Sequence, residues 1–333
     1  MELRQLKYFV RIVELGSVSR AAADLFIAQP ALSNQIANLE EELKVKLMAR
    51  SVRGVTATEA GHVFYRHARA VLRQIERMRT DVQHAGEHPQ GLVSVGMPTS
   101  AANILAPALI SAARQRYPDI QLQITESLSG HLEELVVNGR IEMSLLFERP
   151  ATDSLATGKT SGHGTSKSSG HLDIRPLLVE ELFLLTAGEH PCDEGEITLA
   201  DAAQFPLVMP GRANMTRQIV DAAFLSAGHP VTLIAELDSL STIKSVVASG
   251  VGATILSSPA LHGAEGLRAR RIVDPVLARK VSLCTFAILP MSAAAQHIAE
   301  LICETTRALV TSGIWQGVLV ELEGDVAAGA KQP

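Results

Sequence analysis

Cysteine is scarce in this chain, and the few cysteines are widely separated. Only three occur among 333 residues, namely Cys192, Cys284 and Cys303. Their odd number and wide spacing exclude a disulfide framework, and no two are spaced like a pair of metal ligands. We therefore expect reduced, buried thiols, which are typical of a protein in a reducing compartment.

Aromatic residues and long apolar runs are also scarce. Phe, Trp and Tyr make up 4% of the chain, which argues against a surface that stacks the bases of single-stranded nucleic acid. No uncharged apolar run reaches the roughly 18 residues that a membrane span needs. The first residues lack the apolar run and the small-residue cleavage site of a secretory signal peptide, so we expect a cytoplasmic protein.

Recognisable catalytic, metal-binding and cofactor-binding motifs are missing as well. Residues 158–160 (Gly-Lys-Thr) resemble the end of a phosphate-binding loop, but Asp153 stands where that loop requires a glycine. Residues 250–252 (Gly-Val-Gly) lack the third glycine of a dinucleotide-binding loop. His163 and His171 lie in a Ser/Gly-rich segment without a neighbouring Cys or carboxylate. The sequence therefore predicts no enzymatic activity, no metal and no cofactor.

The length of the chain indicates more than one domain, and its charge is unevenly distributed. At 333 residues it exceeds the size of one ordinary core, which predicts two or three domains. The net charge is −5, but residues 1–90 hold 13 Lys and Arg against 10 Asp and Glu, a local excess of +3. Because local charge is what meets a phosphate backbone, the N-terminal part is the candidate for binding nucleic acid.

The first 45 residues have the pattern of a helix-turn-helix. Apolar residues at helical spacing predict a helix over residues 2–15, and Gly16 ends it. An alanine-rich helix follows, and Pro30 suits the first turn of a third helix. That third helix has one apolar stripe, and its opposite face presents hydroxyl and amide groups, which read base edges in the major groove. The candidate DNA-binding residues of these helices are Ser19, Arg20, Gln29, Pro30, Ser33, Asn34 and Asn38.

Residues 47–58 predict a small β-hairpin, because β-branched residues alternate around a turn at Arg53 and Gly54. Beside a helix-turn-helix such a hairpin is a wing. Arg53 at its tip, together with Arg50, is placed to reach the DNA backbone or the minor groove.

A long helix is predicted over residues 58–87, and its apolar residues recur at spacings of four and three. This heptad pattern predicts contact with a second copy of the chain, and hence a dimer. The alternative is a helix that packs only on its own domain. The candidate dimerisation residues are Phe64, Ala68, Val71, Ile75, Met78 and Val82.

Beyond residue 90, predicted strands and helices alternate, which favours a parallel sheet with helices on both faces. A length of about 220 residues suits two α/β subdomains with a ligand cleft between them. Two strands are predicted near residues 174–179 and 182–186.

Residues 151–171, rich in Ser, Thr and Gly, predict a flexible segment, and the Gly/Ala-rich end after Trp315 predicts a frayed tail.

Two loops of this part could bind an anion. Thr99 and Ser100 lie between the first predicted strand and helix, and Ser127 and Ser129 follow the second strand. Hydroxyl groups and free N–H groups at helix N-termini bind carboxylates and phosphates. Plain helix capping by Ser and Thr explains the same pattern, so a small anionic effector and ordinary caps both remain as interpretations.

Several segments together resemble the LysR-type transcriptional regulators. The matching pieces are residues 17–22 (Ser-Val-Ser-Arg-Ala-Ala), 29–33 (Gln-Pro-Ala-Leu-Ser), 36–40 (Ile-Ala-Asn-Leu-Glu), Arg50 and 58–61 (Thr-Glu-Ala-Gly). The resemblance implies a winged helix-turn-helix over residues 1–58 and a linker and dimerisation helix over 59–88. It implies an effector-binding domain over 91–310, made of two α/β subdomains like a periplasmic binding protein. The tail would comprise residues 311–333.

The resemblance also implies a mode of action. Dimers would pair into tetramers on an interrupted palindromic operator, and a small-molecule effector would contact Thr99 and Ser100, with Ser129 opposite. Many family members have a basic residue where this chain has Asn34. The residues that the resemblance places at DNA are Gln29, Pro30, Ser33 and Asn34 in the groove and Arg50 and Arg53 at the backbone and wing.

We therefore expect a transcriptional regulator that binds double-stranded DNA, forms homotetramers and contacts RNA polymerase. Its expected effector is a small anion or carboxylate. Two rival interpretations remain. One is a regulator whose α/β domain takes no small molecule. The other is an α/β solute-binding protein or enzyme that the first ninety residues only dimerise.

Overall fold

The computed structural model describes residues 1–51, 54–83, 89–149, 172–188, 192–263, 266–287 and 291–321. The chain divides into two compact units, Met1–Glu87 with Val137–Arg140, and His88–Val136 with Ile141–Pro333. The predicted flexible segment 151–171 and the last residues of the predicted tail, 322–333, lie outside the described residues. No helix in the described ranges is long and apolar enough to cross a membrane.

The first unit is mostly helical. Gly16, in the left-handed conformation with φ 61°, ends its first helix. The Ser17 hydroxyl accepts a hydrogen bond from the Arg20 amide N–H and caps the second helix. Pro30 lies in the first turn of the third helix, as its missing N–H allows. The elements in chain order are α1 (Leu3–Leu15), α2 (Val18–Asp24), α3 (Gln29–Leu43), β1 (Met48–Ser51), β2 (Gly54–Ala57) and α4 (Glu59–Gln83).

Apolar faces of these helices form one core. Phe9, Ile12, Leu32 and Leu39 are fully buried in it. Ala21 also has no exposed surface. Burial of a large apolar side chain stabilises a fold by roughly 1.5–3 kcal/mol. The buried stripe of α3 therefore fixes which of its faces turns outward.

A buried carboxylate joins α3 to the hairpin of β1 and β2. Glu40 Oε1 accepts hydrogen bonds from the amide N–H groups of Leu47 (2.9 Å) and Met48 (3.1 Å), and Oε2 pairs with the Lys46 ammonium group (2.7 Å). Burial alone raises the pKa of Glu40, but the hydrogen bonds from Lys46, Leu47 and Met48 outweigh it and lower the pKa. The start of β1 is thereby held at a fixed place beside α3.

The second unit contains, among its described residues, a sheet of nine strands and a separate pair, β8 with β9. Its strands are β3 (Gly91–Met97), β4 (Ile120–Glu126), β5 (Met143–Glu148), β6 (Leu172–Ala187), β7 (Cys192–Thr198), β8 (Leu207–Met209), β9 (Leu233–Glu236), β10 (Thr254–Ser257), β11 (Leu267–Val273), β12 (Ala278–Phe286) and β13 (Val318–Glu321). Its helices are α5 (Thr99–Arg116), α6 (Ser129–Val137), α7 (Leu199–Ala202), α8 (Met215–Ala227), α9 (Leu240–Ala248) and α10 (Ala293–Thr311), with a 3₁₀ turn at Ser258–Leu261.

The large sheet is mixed, which corrects the expectation of a parallel sheet. Its strand order is β4-β3-β5-β12-β6-β11-β7, and β10 and β13 also pair with β6. Strand β3 is parallel to β4 and β5, whereas β12 is antiparallel to β5 and β6. The physical reason is that β6 and β12 lie side by side in opposite directions, so neither can be parallel to all of its neighbours.

Strand β6 is one element of 16 residues, where the sequence predicts two strands. Glu180 and Glu181 in its middle suggest a break between two apolar runs. Their exposed fractions are nevertheless only 0% and 6%. Each carboxylate is paired with an arginine, Glu180 with Arg279 and Glu181 with Arg271. A charged residue that is paired in this way can be accommodated in a strand that runs through the interior.

Two hydrophobic cores lie on either side of this charged point and define two halves of the second unit. The first half comprises β3, β4, β5, α5 and α10, and the second comprises β7, β8, β10, β11 and α7 to α9. Strand β6 contributes Leu178 to the first core and Leu182 to the second. Val281 of β12 belongs to the first core and Leu277, just before β12, to the second. We call β6 and β12 the crossing strands.

The chain after α10 continues the fold up to residue 321. Trp315 is 1% exposed in the first core, and β13 pairs with β6. The expectation of a tail from residue 311, frayed after Trp315, is therefore wrong for these residues. The reason is that the indole ring is buried and brings the following residues to the edge of the sheet.

The N-terminus of α3 offers a stability test. Ala28 is its N-cap and provides no side-chain hydrogen bond. We predict that Ala28→Ser stabilises the first unit by about 1 kcal/mol, because the new hydroxyl can accept from the Ala31 amide N–H. Thermal unfolding of the full chain and hydrogen exchange at the start of α3 measure the change. Ala37→Ser, at an exposed position inside α3, is the control and should cost a few tenths of a kcal/mol. If the two substitutions changed the stability equally, capping by the hydroxyl at position 28 would be excluded.

The Glu40 contact should be sensitive to pH. The pKa of the Glu40 carboxyl group lies below the ordinary value of 4.5. The contribution of this carboxylate to the free energy of unfolding is therefore fully present above pH 4.5 and is lost as the pH falls through the folded-state pKa. Glu40→Gln should lower stability by about 1–3 kcal/mol at neutral pH and remove this acid-dependent part. Hydrogen exchange at Leu47 and Met48 reports the loss. Glu41→Gln, on the exposed side of α3, should leave both amides protected, and a matching loss there would contradict the assignment.

Candidate functional site

The outward face of α3 carries the polar residues that the sequence singles out. Gln29, Pro30, Asn34 and Asn38 are exposed, and Ser33 is half-buried. Leu32, Ile36 and Leu39 are buried on the opposite side. Asn34 and Asn38, four residues apart, share one side of the helix. The core therefore leaves an array of amide groups facing solvent, and we call it the α3 face.

The start of α2 adjoins the α3 face. Ser19 and Arg20 are exposed, and the Ser19 hydroxyl donates a hydrogen bond to Gln29 Oε1 (3.3 Å). The Arg20 guanidinium donates to the Leu15 carbonyl at the end of α1. Two helix N-termini thus meet at one surface, and helix N-termini favour anions such as phosphate.

The hairpin supplies the backbone of the predicted wing. Strands β1 and β2 are antiparallel, with Arg50 opposite Val55 and Ser51 opposite Gly54. The Val55 amide N–H also donates to the Gly16 carbonyl (3.0 Å), which ties the wing to the end of α1. Arg53 and the side chain of Arg50 lie outside the described residues.

The residues predicted for dimerisation do not share one environment. Ala68 is 2% exposed in the core of the first unit, and the Phe64 ring packs edge-on against Phe9 with centroids 5.0 Å apart. Val71 and Met78 are 43% and 55% exposed. Ile75 is half-buried, and the side chain of Val82 lies outside the described residues. The helix thus packs on its own core near its start and presents apolar side chains further along.

A cleft of about 70 Å³ lies between the loops of the two halves of the second unit. Thr99, Ser100, Ser127 and Ser129 all line it, so the structure brings the four predicted effector residues together. Two of their hydroxyl groups already have partners. Ser129 Oγ accepts from the Phe147 amide N–H (3.0 Å), and Ser100 Oγ accepts from Arg279 Nη2 (2.9 Å). Ligand pockets typically measure roughly 300–1,000 Å³, so little room is left.

Arg279 occupies this cleft. Its side chain is 3% exposed, and its Nε donates to Glu180 Oε1 (2.6 Å). Its Nη1 donates to Thr216 Oγ1 (2.7 Å), and its Nη2 donates to Ser257 Oγ (2.5 Å) as well as to Ser100. The guanidinium carbon lies 3.5 Å from the centre of the Phe147 ring, a cation–π contact.

The Glu180 carboxylate is shared by two donors. Its second oxygen accepts from Trp315 Nε1 (2.7 Å). Burial lowers the pKa of Arg279, and the charge and hydrogen bond of Glu180 raise it again in part. An arginine stays protonated in proteins, so the cleft contains a complete buried ion pair.

Sequence reasoning missed Arg279 and Glu180. The available signal was two adjacent charged residues inside each of two apolar runs, Glu180 and Glu181 within residues 177–185 and Arg279 and Lys280 within residues 277–286. Two charges at the same depth of two neighbouring strands are typical of a buried pair. The strand pairing that makes them neighbours was not visible in the sequence.

Comparison with known proteins extends over most of the chain. Residues 3–62 match the family model described as bacterial regulatory helix-turn-helix protein, lysR family, and residues 86–307 match the LysR substrate binding domain. The nitrogen assimilation regulatory protein nac of Klebsiella aerogenes is 35% identical over 306 residues, which cover 91% of this chain and 94% of that protein.

Solved structures share the fold. Full-length OxyR from Pseudomonas aeruginosa, solved as a variant, superposes with a TM-score of 0.69 at 22% identity and covers 98% of this chain and 99% of that one. CbnR in complex with its target DNA gives a TM-score of 0.59 at 21% identity, covering 92% of this chain and all (100%) of that one. Both family models fall on the two units that the structure describes. The chain therefore belongs to the LysR family and is a transcriptional regulator with an N-terminal DNA-binding helix-turn-helix and an effector-binding domain.

Proposed function

We propose that this regulator binds an interrupted palindromic operator in double-stranded DNA as a dimer of dimers, and that the α3 face reads the bases. The observation that carries the proposal is the exposed amide array of Gln29, Asn34 and Asn38, backed by buried Leu32 and Leu39. An α-helix of this kind fits the major groove, where Asn and Gln bind adenine through two hydrogen bonds.

Most of the remaining predicted DNA contacts take positioning roles in this proposal. Ser19 and Arg20 at the start of α2, with Pro30 beside them on α3, contact the groove edge and the sugar-phosphate backbone. Ser33, next to Asn34 on α3, reads bases together with it. Arg50 and Arg53 of the wing bind backbone or minor groove. Asn34 is a neutral amide where many LysR-type proteins have a basic residue, so its contribution is to base discrimination more than to phosphate attraction.

The exposed part of α4 supports dimerisation. Val63, Val71 and Met78 are 42%, 43% and 55% exposed. At about 100° per residue, these three side chains fall within an arc of about 80°. A narrow apolar stripe of this kind is stabilised by a second helix. We propose that the dimer seam consists of these residues with Ile75 and Val82, whereas Phe64 and Ala68 support α4 from its own core.

The regulatory context follows from the relatives. The similarity to the nitrogen assimilation regulatory protein supports a role at nitrogen-metabolism genes. We propose that the regulator acts there as an activator that contacts RNA polymerase. We propose a cytoplasmic homotetramer with no enzymatic activity. The domain boundaries proposed from the sequence, 1–58, 59–88 and 91–310, are kept, with the effector-binding domain extended to residue 321 by β13.

Two candidate functions of the cleft remain. In the first, a small anion or carboxylate binds at Thr99 and Ser127, since Ser100 and Ser129 are bonded within the protein. In the second, the regulator takes no small molecule. The buried Arg279, which lines the cleft and is bonded to residues from both of its sides, favours the second candidate.

Base reading by the α3 face can be tested by substitution. The double variant Ser33→Ala with Asn34→Ala should lose about 1–3 kcal/mol of operator binding for each specific pair removed, because those pairs discriminate bases. Affinity for an unrelated duplex should change much less. Gel-shift titrations over a salt series measure both affinities and count the phosphate contacts. Ser111→Ala, at an exposed position of α5, is the matched control. An equal loss on both duplexes would assign these residues to backbone positioning instead.

The proposed dimer seam can be tested by placing charged residues in it. Val71→Lys with Met78→Lys should weaken dimerisation at least tenfold, because two ammonium groups would be buried between helices. Analytical ultracentrifugation across a concentration series measures the change. His62→Lys is the control, since it is exposed on the same helix and lies about 160–180° away from these two positions. If the double variant and the control sediment alike, this stripe is not the dimer contact.

A further inference from the structure

The guanidinium of Arg279 is bound the way a pocket binds a ligand. Its Nε–H and three of its four Nη–H groups donate to side-chain oxygens, and one face stacks on Phe147. Guanidinium has five N–H donors in a fixed planar fork. Four of the five are therefore satisfied by side chains, and the planar face is covered as well. The acceptors are Glu180, Thr216, Ser100 and Ser257.

These partners come from both halves of the second unit. Ser100 lies in the first turn of α5 and Phe147 near the end of β5, both in the first half. Thr216 lies in the first turn of α8 and Ser257 at the end of β10, both in the second half. Opening the cleft must separate these two groups of residues. Every such opening breaks hydrogen bonds to the same guanidinium.

Arg279 extends from the point about which the halves would move. It lies on β12 directly opposite Glu180 of β6, and these two crossing strands connect the cores. Opposite residues of antiparallel strands project to the same face of the sheet. Glu180 thus anchors the side chain at the crossing strands, while its far end joins the loops on either side of the cleft.

Charge and space both disfavour an anionic ligand beside it. Glu180 neutralises the guanidinium at 2.6 Å, so the buried pair offers no net positive charge. The cleft that remains measures about 70 Å³. An arginine serving only to neutralise Glu180 would need none of the three hydroxyl acceptors contributed by Ser100, Thr216 and Ser257.

We propose that the cleft is a guanidinium site whose built-in occupant is Arg279, and that this side chain holds the two halves together in place of a small molecule. The inference rests on the proposed function, in which the second unit is the regulatory domain. The site would take a free alkylguanidinium ion once the Arg279 side chain is removed. Carboxylates and phosphates are the wrong class of ligand for it, because the Glu180 carboxylate repels them, whereas a guanidinium ion donates to that carboxylate and to the three hydroxyl oxygens.

The experiment removes the occupant and restores it from solution. Arg279→Ala leaves a space with the shape of N-ethylguanidinium. In full-length Arg279→Ala protein we expect hydrogen exchange at residues 99–102 and 215–218 to become at least tenfold faster. Millimolar N-ethylguanidinium, far below denaturing concentrations, should restore protection with a saturable dependence. Wild-type protein should show no saturable response to it.

Control ligands and variants separate this from general destabilisation. N-ethylurea has the same shape without the charge, and ethylammonium has the charge without the fork, so neither should restore protection. Arg271→Ala removes another arginine paired with β6, at Glu181 and Glu196 and not among the residues lining the cleft. It should give no N-ethylguanidinium response.

A second variant covers the case in which Arg279→Ala fails to fold. Ser100→Ala leaves the ion pair intact and removes the hydrogen bond from Arg279 to α5. Exchange at residues 99–102 should then rise, while exchange at 215–218 should stay as in wild type. No change at 99–102, or Arg279→Ala protein that stays closed or ignores N-ethylguanidinium, would overturn the proposal. Neither measurement involves DNA, so the gel-shift experiment decides the proposed DNA binding separately.

Discussion

The ion pair between Arg279 and Glu180 is the interaction on which the second unit is built. Moving two charges out of water costs several kcal/mol for each ion unless both are fully bonded. The chain meets that requirement with three hydroxyl groups, an aromatic ring and the Trp315 indole N–H. The loops at Ser100, Thr216 and Ser257 and the indole of Trp315 are therefore placed by one buried pair. Trp315 in turn brings β13 to the edge of β6.

The first unit depends on simpler constraints. An apolar stripe on each helix meets one core, and the polar residues of α3 face outward because Leu32, Ile36 and Leu39 are buried behind them. One buried carboxylate, Glu40, links α3 to the hairpin. The α3 face and the wing are thus held at fixed positions relative to each other. Recognition of base pairs requires this, since displacements of about an ångström break paired hydrogen bonds.

Local patterns predicted most of the elements. The helix-turn-helix, the hairpin, α5 and α8 were all visible as capped or turn-bounded periodic segments, and the family resemblance to LysR-type regulators is confirmed. The heptad pattern of α4 was visible in the sequence too, but it did not show which of its residues pack on the core and which are exposed. Phe64 and Ala68 face the unit's own core, whereas Val71 and Met78 are exposed. These residues lie within an arc of about 80° around the helix, so their roles differ by position along it: the first unit's core packs against α4 between Ala60 and Leu72.

The sequence by itself determined the family and the polar face of α3, because these follow from patterns within short segments. It also singled out Thr99, Ser100, Ser127 and Ser129 as candidates for a ligand cleft, but the structure brings the two loops together. Only the tertiary structure decided what fills that cleft. Glu180 and Arg279 are 99 residues apart and become neighbours solely through the pairing of β6 with β12. Such a contact leaves no periodic trace in the chain, and in the sequence the same two charges suggest breaks in apolar strands.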